Sequence, residues 1–360
     1  MAGPSGAPEP ALVAPGGAGP RSLLGSPPAD LPDPAEAAVW VRDLTRRFSS
    51  FEAVRGIRFA VAPGETFGFL GPNGAGKSTT IAMLCTLLRP TSGTALVGGY
   101  DVVAARAEVR RRIGLVFQDT TLDDYLTAEE NLRFHAELYG LPRRQAAERL
   151  DAVLAMVGLA DRRRSIVRTF SGGMKRRLEI ARGLLHSPRV LFLDEPTVGL
   201  DPQTRAHIWE YVDQLRQAEA ITMFLTTHYM DEAEHCDRIA IVDQGRIVVM
   251  DTPEALKASV GQDRVEIQTA DDARAAEALA ERFGIQAARG GEGLTFHVAG
   301  GESFVPRLFA ELPVAIASVR IARPTLDDVF MAYTGRSIRD AEASAGERLG
   351  ASPWIRARRR

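Results

Sequence analysis

The sequence predicts an α/β domain built on a mainly parallel sheet, followed by a smaller α+β domain. From about residue 39 to 250, apolar runs of strand length alternate with helix-length amphipathic stretches, the order that covers a parallel sheet with helices. A glycine-rich loop beginning at Gly71 separates one such strand from the helix after it. Beyond about 250 the pattern changes to three short strands interleaved with helices.

At 360 residues the chain is too long for one small core and suits two domains with unstructured margins. Hydrophobic residues at 45% and charged residues at 25% are ordinary for a soluble globular protein. A net charge of -2 supplies no overall field to draw nucleic acid or an acidic membrane. No run approaches the roughly 20 apolar residues that a bilayer crossing needs. The first residues also lack the basic-then-apolar order of a secretion signal. Composition therefore predicts a cytoplasmic protein. Cys85 and Cys236 are the only cysteines. In their apolar or helical surroundings both read as buried free thiols, although sequence leaves a disulfide between them open.

Taken in order, residues 1–36 are rich in Pro, Gly and Ala and are expected to be disordered, with a docking tail as the sharper alternative. Order is expected from Val39. Residues 39–41 and 57–61 read as strands, Pro63-Gly64-Glu65 as a turn, and 66–70 as a buried strand. A helix follows from 77 to about 88, stopped before Pro90. Further strands are expected at 113–118, 190–194 and 221–226, with helices at about 128–139, 143–157, 172–186 and 203–217. Thr127 and Glu130 form a capping box for the first of these helices. The larger unit is thus 37–255, with a short helix begun by Thr252-Pro253-Glu254. After a Gly-Gln-Asp linker at 261–263, strands at 265–268, 294–298 and 317–321 and helices near 271–283 and 302–311 make a small α+β domain, 262–335. The tail, 336–360, ends in a basic run that reads as solvated and flexible, or as attracted to anionic lipid. No internal repeat is visible, so one catalytic unit is expected.

Three motifs carry chemistry. Gly71-Pro72-Asn73-Gly74-Ala75-Gly76-Lys77-Ser78-Thr79 fits G-x-x-x-x-G-K-[ST] between a strand and a helix. Its glycines let backbone N–H groups wrap a phosphate, the helix start adds positive charge, and Lys77 supplies a full one. Ser78 offers a hydroxyl to Mg²⁺. Val190-Leu191-Phe192-Leu193-Asp194-Glu195-Pro196 is a core strand that delivers two carboxylates at its end, Asp194 for Mg²⁺ and Glu195 to polarise an attacking water. Phe170-Ser171-Gly172-Gly173-Met174-Lys175-Arg176-Arg177 opens a basic helix with an N-cap serine and bare glycine amides, a second anion site.

Together with Gln118, Gly199-Leu200-Asp201 and His228, these motifs resemble the ATP-binding subunit of an ATP-binding-cassette (ABC) transporter over about residues 39–250. The resemblance implies a P-loop NTPase cassette with a RecA-like core, a β-subdomain and a helical subdomain. It implies that two cassettes pair head to tail, so that Ser171, Gly172 and Gly173 of one cap ATP on the P-loop of the other. On matching positions Phe48 would stack on adenine, and Gln118 would sense Mg²⁺ and the membrane partner. Asp201 would bridge the cassettes, while His228 would contact the γ-phosphate and orient Glu195. Phe48 could instead be core packing, with Phe51 nearby. The usual Leu-Ser-Gly-Gly-Gln is here Phe-Ser-Gly-Gly-Met, which keeps the phosphate contacts but not the glutamine amide.

That Met variant, residues 127–139 and Arg323-Pro324-Thr325-Leu326-Asp327-Asp328-Val329-Phe330 are similar to daunorubicin-resistance-type export ATPases, extending the resemblance to about 39–335. It implies ATP and Mg²⁺ as cofactors and a separate integral membrane permease as partner. It also implies a second, identical cassette, no nucleic acid, and a place at the cytoplasmic face of the membrane. The cargo would be a drug, an antibiotic or a lipid-like molecule. An importer subunit is the alternative. A cassette acting on ribosomes or DNA is a further one, disfavoured by the single cassette and the lack of long coiled coils.

Overall fold

A computed structural model of the protein describes residues 31–335 and 338, apart from 50, 220, 291 and 292. Strands β1 (Val39–Phe48) and β2 (Phe51–Val61) form a hairpin, and β3 (Thr66–Leu70) then leads into α1 (Lys77–Leu84). The chain returns through β4 (Ser92–Val97) and β5 (Tyr100–Asp101) to complete an antiparallel sheet in the order β2-β1-β4-β5. After α2 (Arg106–Arg112) and β6 (Ile113–Val116) come three helices, α3 (Ala128–Leu138), α4 (Arg143–Met156) and α5 (Gly172–Leu184). Then follow β7 (Val190–Asp194), α6 (Pro202–Glu219), β8 (Thr222–Thr227), α7 (Met230–Ala233), β9 (Arg238–Asp243) and β10 (Arg246–Asp251). The second sheet runs β10-β9-β3-β8-β7-β6 and is parallel throughout except for the edge strand β10.

The period-two alternation of the central strands divides their side chains between two cores. Phe67, Phe69, Phe192 and Phe224 meet Phe59 of the antiparallel sheet. Phe59 stacks 5.4 Å from Phe67, and Phe224 lies 5.4 Å from Phe192 and 5.5 Å from Phe69. Leu70, Leu191, Leu193, Met223 and Leu225 enter the opposite core, shared with α3 to α6. Cys85 and Cys236 are buried free thiols, one in each core, and burial raises both pKa values.

Several expectations need correction. The helix begun at Lys77 ends at Leu84 rather than near 88, and Thr86 takes a positive φ of 64°. Strand β6 ends at Val116 rather than Gln118, because the Phe117 carbonyl leaves the ladder to accept from Arg176. Order also begins before Val39: Pro34–Glu36 form a turn capped by Asp33, and the Trp40 indole donates to the Pro32 carbonyl at 3.1 Å. The rest of the expected disordered segment, 1–30, lies outside the described residues. So does the tail 336–360, apart from Ile338, which is buried.

Helix α8 (Pro253–Val260) leads to β11 (Asp263–Thr269), α9 (Asp272–Phe283), β12 (Ala288–Gly290), β13 (Gly293–Val298), α10 (Gly301–Glu311), β14 (Ile316–Ala322) and α11 (Leu326–Thr334). The four strands form an antiparallel sheet in the order β12-β13-β11-β14, whose core is Val265, Ile267, Leu279, Leu294, Phe296 and Leu308. Helix α11 does not belong to that core. A Thr325–Asp328 capping box starts it, and its stripe of Leu326, Val329 and Phe330 is fully buried with Val249 and Leu256 in the helix-side core of the larger unit. After β14 the chain thus crosses back, and α11, the last element of the expected 262–335 unit, packs on the larger one.

If α11 is part of the larger core, Phe330→Ala should remove about 3–5 kcal/mol from its stability. Urea denaturation followed by tryptophan fluorescence measures this. An unchanged midpoint would show that α11 packs independently.

Candidate functional site

Four neighbouring parallel strands end side by side, and each delivers part of one site. Strand β3 leads into the P-loop, β8 into Thr227 and His228, β7 into Asp194 and Glu195, and β6 into Phe117 and Gln118. The registers Leu70↔Thr227, Asp194↔Thr226 and Val116↔Leu193 set these ends level. Such a row of carboxyl ends is where open α/β sheets bind ligands.

In the P-loop, a Cβ on Gly76 would stand 2.5 Å from the Ala53 carbonyl, and its φ of 103° is closed to other residues. A Cβ on Gly71 would stand 2.2 Å from the Val242 carbonyl. The chain is thereby threaded between β2 and β9, while Asn73 and Gly74 face solvent. Gly76 caps α1 without a side-chain bond, so the first-turn amides stay open to an anion. Ala75 and Thr79 flank this turn, Ala75 buried and Thr79 half-buried.

Lys77 is only 4% exposed. Its Nζ donates to the Gly71 and Pro72 carbonyls at 2.7 and 3.2 Å and pairs with Glu195 Oε1 at 3.2 Å. Glu195 holds a left-handed φ of 46°, and its N–H is bonded to both Thr226 O and Thr226 Oγ1 at 3.1 Å. His228 Nδ1 stands 3.4 Å from the same Oε1 without making a hydrogen bond. Burial works against ionising Glu195, but His228 and Lys77 outweigh it and hold its pKa below the ordinary value. Asp194 is pushed the other way: burial raises its pKa, against hydrogen bonds from Thr226 Oγ1 at 2.5 Å and Ser78 Oγ at 3.2 Å.

These oxygens fit a hard cation. Ser78 Oγ and Asp194 Oδ1 lie within a hydrogen bond of each other, and among the described residues no three His, Cys, Asp or Glu side chains form a metal cage. Mg²⁺ suits such a place, since it takes one or two protein oxygens and completes its shell with phosphate and water.

The remaining expected residues stand apart from this connected set. Ser171 caps α5, accepting from Met174 N at 3.3 Å. Gly172 and Gly173 let α5 approach α6, for a Cβ on Gly173 would lie 2.4 Å from Thr204 Cγ2. Asp201 accepts from Thr204 N at 3.0 Å and Thr204 Oγ1 at 2.6 Å, which gives it a helix-capping task in this chain. Gln118 is exposed in the bend after β6. Phe48 is 42% exposed, with the Arg46 guanidinium 4.4 Å over its ring, so it is not core packing.

Sequence reasoning missed Thr226, whose hydroxyl ties Asp194 to the Glu195 peptide; the polar Thr226-Thr227-His228 ending an apolar strand was its signal. It also missed Glu232 on α7. That carboxyl is buried and accepts from Thr197 Oγ1 through Oε1, while Oε2 has no hydrogen-bond partner among the described residues. Burial pushes its pKa up to about 7, against Thr227 and Arg205.

Residues 54–198 match the family described as ABC transporter, and 252–334 match that described as ATP-binding protein DrrA1-3-like, C-terminal domain. The chain is similar to the linearmycin resistance ATP-binding protein LnrL of Bacillus subtilis (strain 168), 39% identical over 311 residues, covering 83% of this chain and 98% of the relative. It is also similar to the daunorubicin resistance ATP-binding protein DrrA3 of Streptomyces coeruleorubidus, 41% identical over 316 residues, covering 86% and 100%. Among solved structures, the dimeric post-hydrolysis state of the ATP-binding cassette MJ0796 bound to ADP and Pi superposes with a TM-score of 0.54 at 25% identity, over 59% of this chain and 98% of that one.

The raised pKa of Glu232 gives a signed stability prediction. Below pH 4.5 the carboxyl is protonated whether the chain is folded or not, and it costs nothing. Between 4.5 and about 7 only the unfolded chain releases the proton, and above 7 the folded state bears the whole cost. Glu232→Gln should therefore be near neutral at pH 4.5 and stabilise by up to about 3 kcal/mol at pH 8. Paired urea titrations at the two pH values measure the difference.

Proposed function

The chain belongs to the ABC transporter family of ATP-binding proteins, and from that membership we propose that it drives a separate membrane permease exporting a drug, antibiotic or lipid-like molecule. The observation that carries this reading is the connected set Lys77, Ser78, Asp194, Glu195 and His228 at three adjacent strand ends. Lys77 would exchange Glu195 for the β- and γ-phosphates of ATP, and that exchange frees the carboxylate to polarise the attacking water. His228, beside the same carboxylate oxygen, would hold it in line with the γ-phosphate. Mg²⁺ held by Ser78 and Asp194, with Gln118 reaching in, supplies charge neutralisation on the phosphate oxygens when bound.

Phe48 at the exposed tip of the β1–β2 hairpin would stack on adenine. Ser171, Gly172 and Gly173 would cap the ATP of a second, identical cassette, and Asp201 would lie at the junction between the two. Exposure of the Ser171 helix start supports a composite site, as does the dimeric state of MJ0796. No helix among the described residues is long and apolar enough to cross a membrane, which supports a peripheral subunit at the cytoplasmic face. Tyr125, 79% exposed, Phe134 and Leu138 are exposed apolar side chains of the 123–139 segment, which with the Gln118 loop would meet the permease. The resistance named in both relatives favours export over import.

Lys77→Ala should abolish hydrolysis and strongly weaken nucleotide binding, because the main positive charge facing the triphosphate is lost. ATPase assays with fluorescent-nucleotide titration measure both, and near-normal turnover would refute the P-loop assignment.

Glu195→Gln keeps shape but loses the base. It should bind MgATP, stop hydrolysing, and accumulate as a dimer on size-exclusion chromatography. Adding Ser171→Arg should return it to monomer. An inactive variant that stays monomeric with ATP bound at high concentration would refute the composite site.

A further inference from the structure

Within the basic helix α5, Arg176 and Arg182 point inward and are buried, as is Glu179. Arg176 spends its guanidinium on backbone carbonyls. Nε donates to Pro196 O at 2.5 Å, Nη1 to Phe117 O, and Nη2 to Asp194 O and Glu195 O, each at 3.2 Å. Among the described residues its one side-chain hydrogen-bond partner is Glu179, with Nη1 to Oε2 at 3.1 Å. The other oxygen of Glu179 accepts from Thr121 N at 2.7 Å and Thr121 Oγ1 at 3.3 Å, and Arg182 Nη1 donates to Thr121 Oγ1 at 2.6 Å.

Both ends of the loop 117–121, which carries Gln118, are therefore pinned to one helix. The same helix grips three successive peptides, 194 to 196, around the left-handed Glu195. Its N-terminus is Ser171, Gly172 and Gly173. Only a planar fork with five N–H groups can hold these carbonyls at once; an ammonium cannot reach them together.

We propose that Arg176, oriented by Glu179, is a positioning residue that sets the Glu195 peptide and the Gln118 loop as one unit with the Ser171 helix. Glu195 is then correctly aimed only while α5 is in place, so a displacement of that helix by a facing cassette, or of the loop by a permease, changes turnover without touching nucleotide. The inference rests on the reading of Glu195 as the base.

The test separates positioning from mere packing. In the full chain, Arg176→Met with Glu179→Leu removes both buried charges together, so that neither is left facing the other's gap, while the carbonyls of 117 and 194–196 lose their shared donor. The double variant should melt below the wild type yet stay folded, and bind a fluorescent ATP analogue within a few fold, while kcat falls on the order of 100-fold, as for a misplaced catalytic group. Wild-type kcat in the folded double variant would show that the pair only packs, and would overturn the proposal. Should the double variant fail to fold, Arg176→Lys keeps the charge facing Glu179 and loses the fork; it should bind normally with kcat reduced at least about tenfold. Wild-type kcat in that variant would overturn the proposal. Hydrogen exchange gives a second readout: in Arg176→Lys, peptides spanning 117–121 and 194–198 should exchange faster together, with 71–79 unchanged, and unchanged exchange in both would refute the link. Glu195→Gln, run alongside, reports separately on the base. Wild-type turnover there defeats that reading whatever the Arg176 variants do.

Discussion

Lys77 and Glu195 are 4% and 5% exposed and stand 3.2 Å apart, and neither charge could be held there alone. Taking an ion out of water costs several kcal/mol unless partners replace its hydration. Lys77 meets this with two P-loop carbonyls and Glu195, and Glu195 with Lys77 and the neighbouring His228. The site is thus neutralised internally before any substrate arrives. On the proposed reading, a triphosphate would bring more negative charge than Glu195 and take Lys77 from it, so binding and release of that carboxylate would be one electrostatic event. Asp194 next door has the opposite tendency, with burial raising its pKa, so a cation at Ser78 and Asp194 relieves a cost that the fold already carries.

The sheet is what makes this arrangement affordable. Strands β3, β7 and β8 are apolar and buried along their length, so polar groups appear only where the strands stop. Stacked phenylalanines on one face and leucines on the other fix the strand ends relative to each other. Side chains from three strand ends can then meet within 3.4 Å, though they are separated in sequence by up to about 150 residues.

Much of this was legible in the sequence. The strands 66–70 and 190–194, the four long helices of the larger unit and the Thr127 capping box follow from apolar period and cap chemistry, and they stand where expected. Lys77, Ser78, Asp194 and Glu195 are likewise brought together as their motifs imply. The β9–β10 hairpin is not among the expected elements, although Gln244-Gly245, both at positive φ, between two alternating apolar runs is a hairpin signal. What sequence could not give is the direction of charge. Lys175, Arg176 and Arg177 look alike on paper, yet Lys175 reaches Asp124, Arg177 reaches Val157 O, and Arg176 alone turns to the strand ends. Which of three adjacent cations is buried depends on carbonyls from β6 and β7, distant in sequence.

Helix α11 makes the same point about connectivity. Its apolar stripe and capping box are local and readable, but the surface that it covers is not. Sequence adjacency argues for the sheet that it follows; geometry places it on α8 and β10 instead. The small sheet is therefore joined to the larger unit twice, by α8 on the way out and α11 on the way back. Two such attachments restrict how far the α+β domain can swing. A motion that displaced β10, whose partner β9 lies beside the P-loop strand β3, would be felt at α11 through Val249 and Phe330. The attachment of the C-terminal domain thus lies two strands from β3, which leads into the P-loop, although no residue of it is among those assigned to the phosphates.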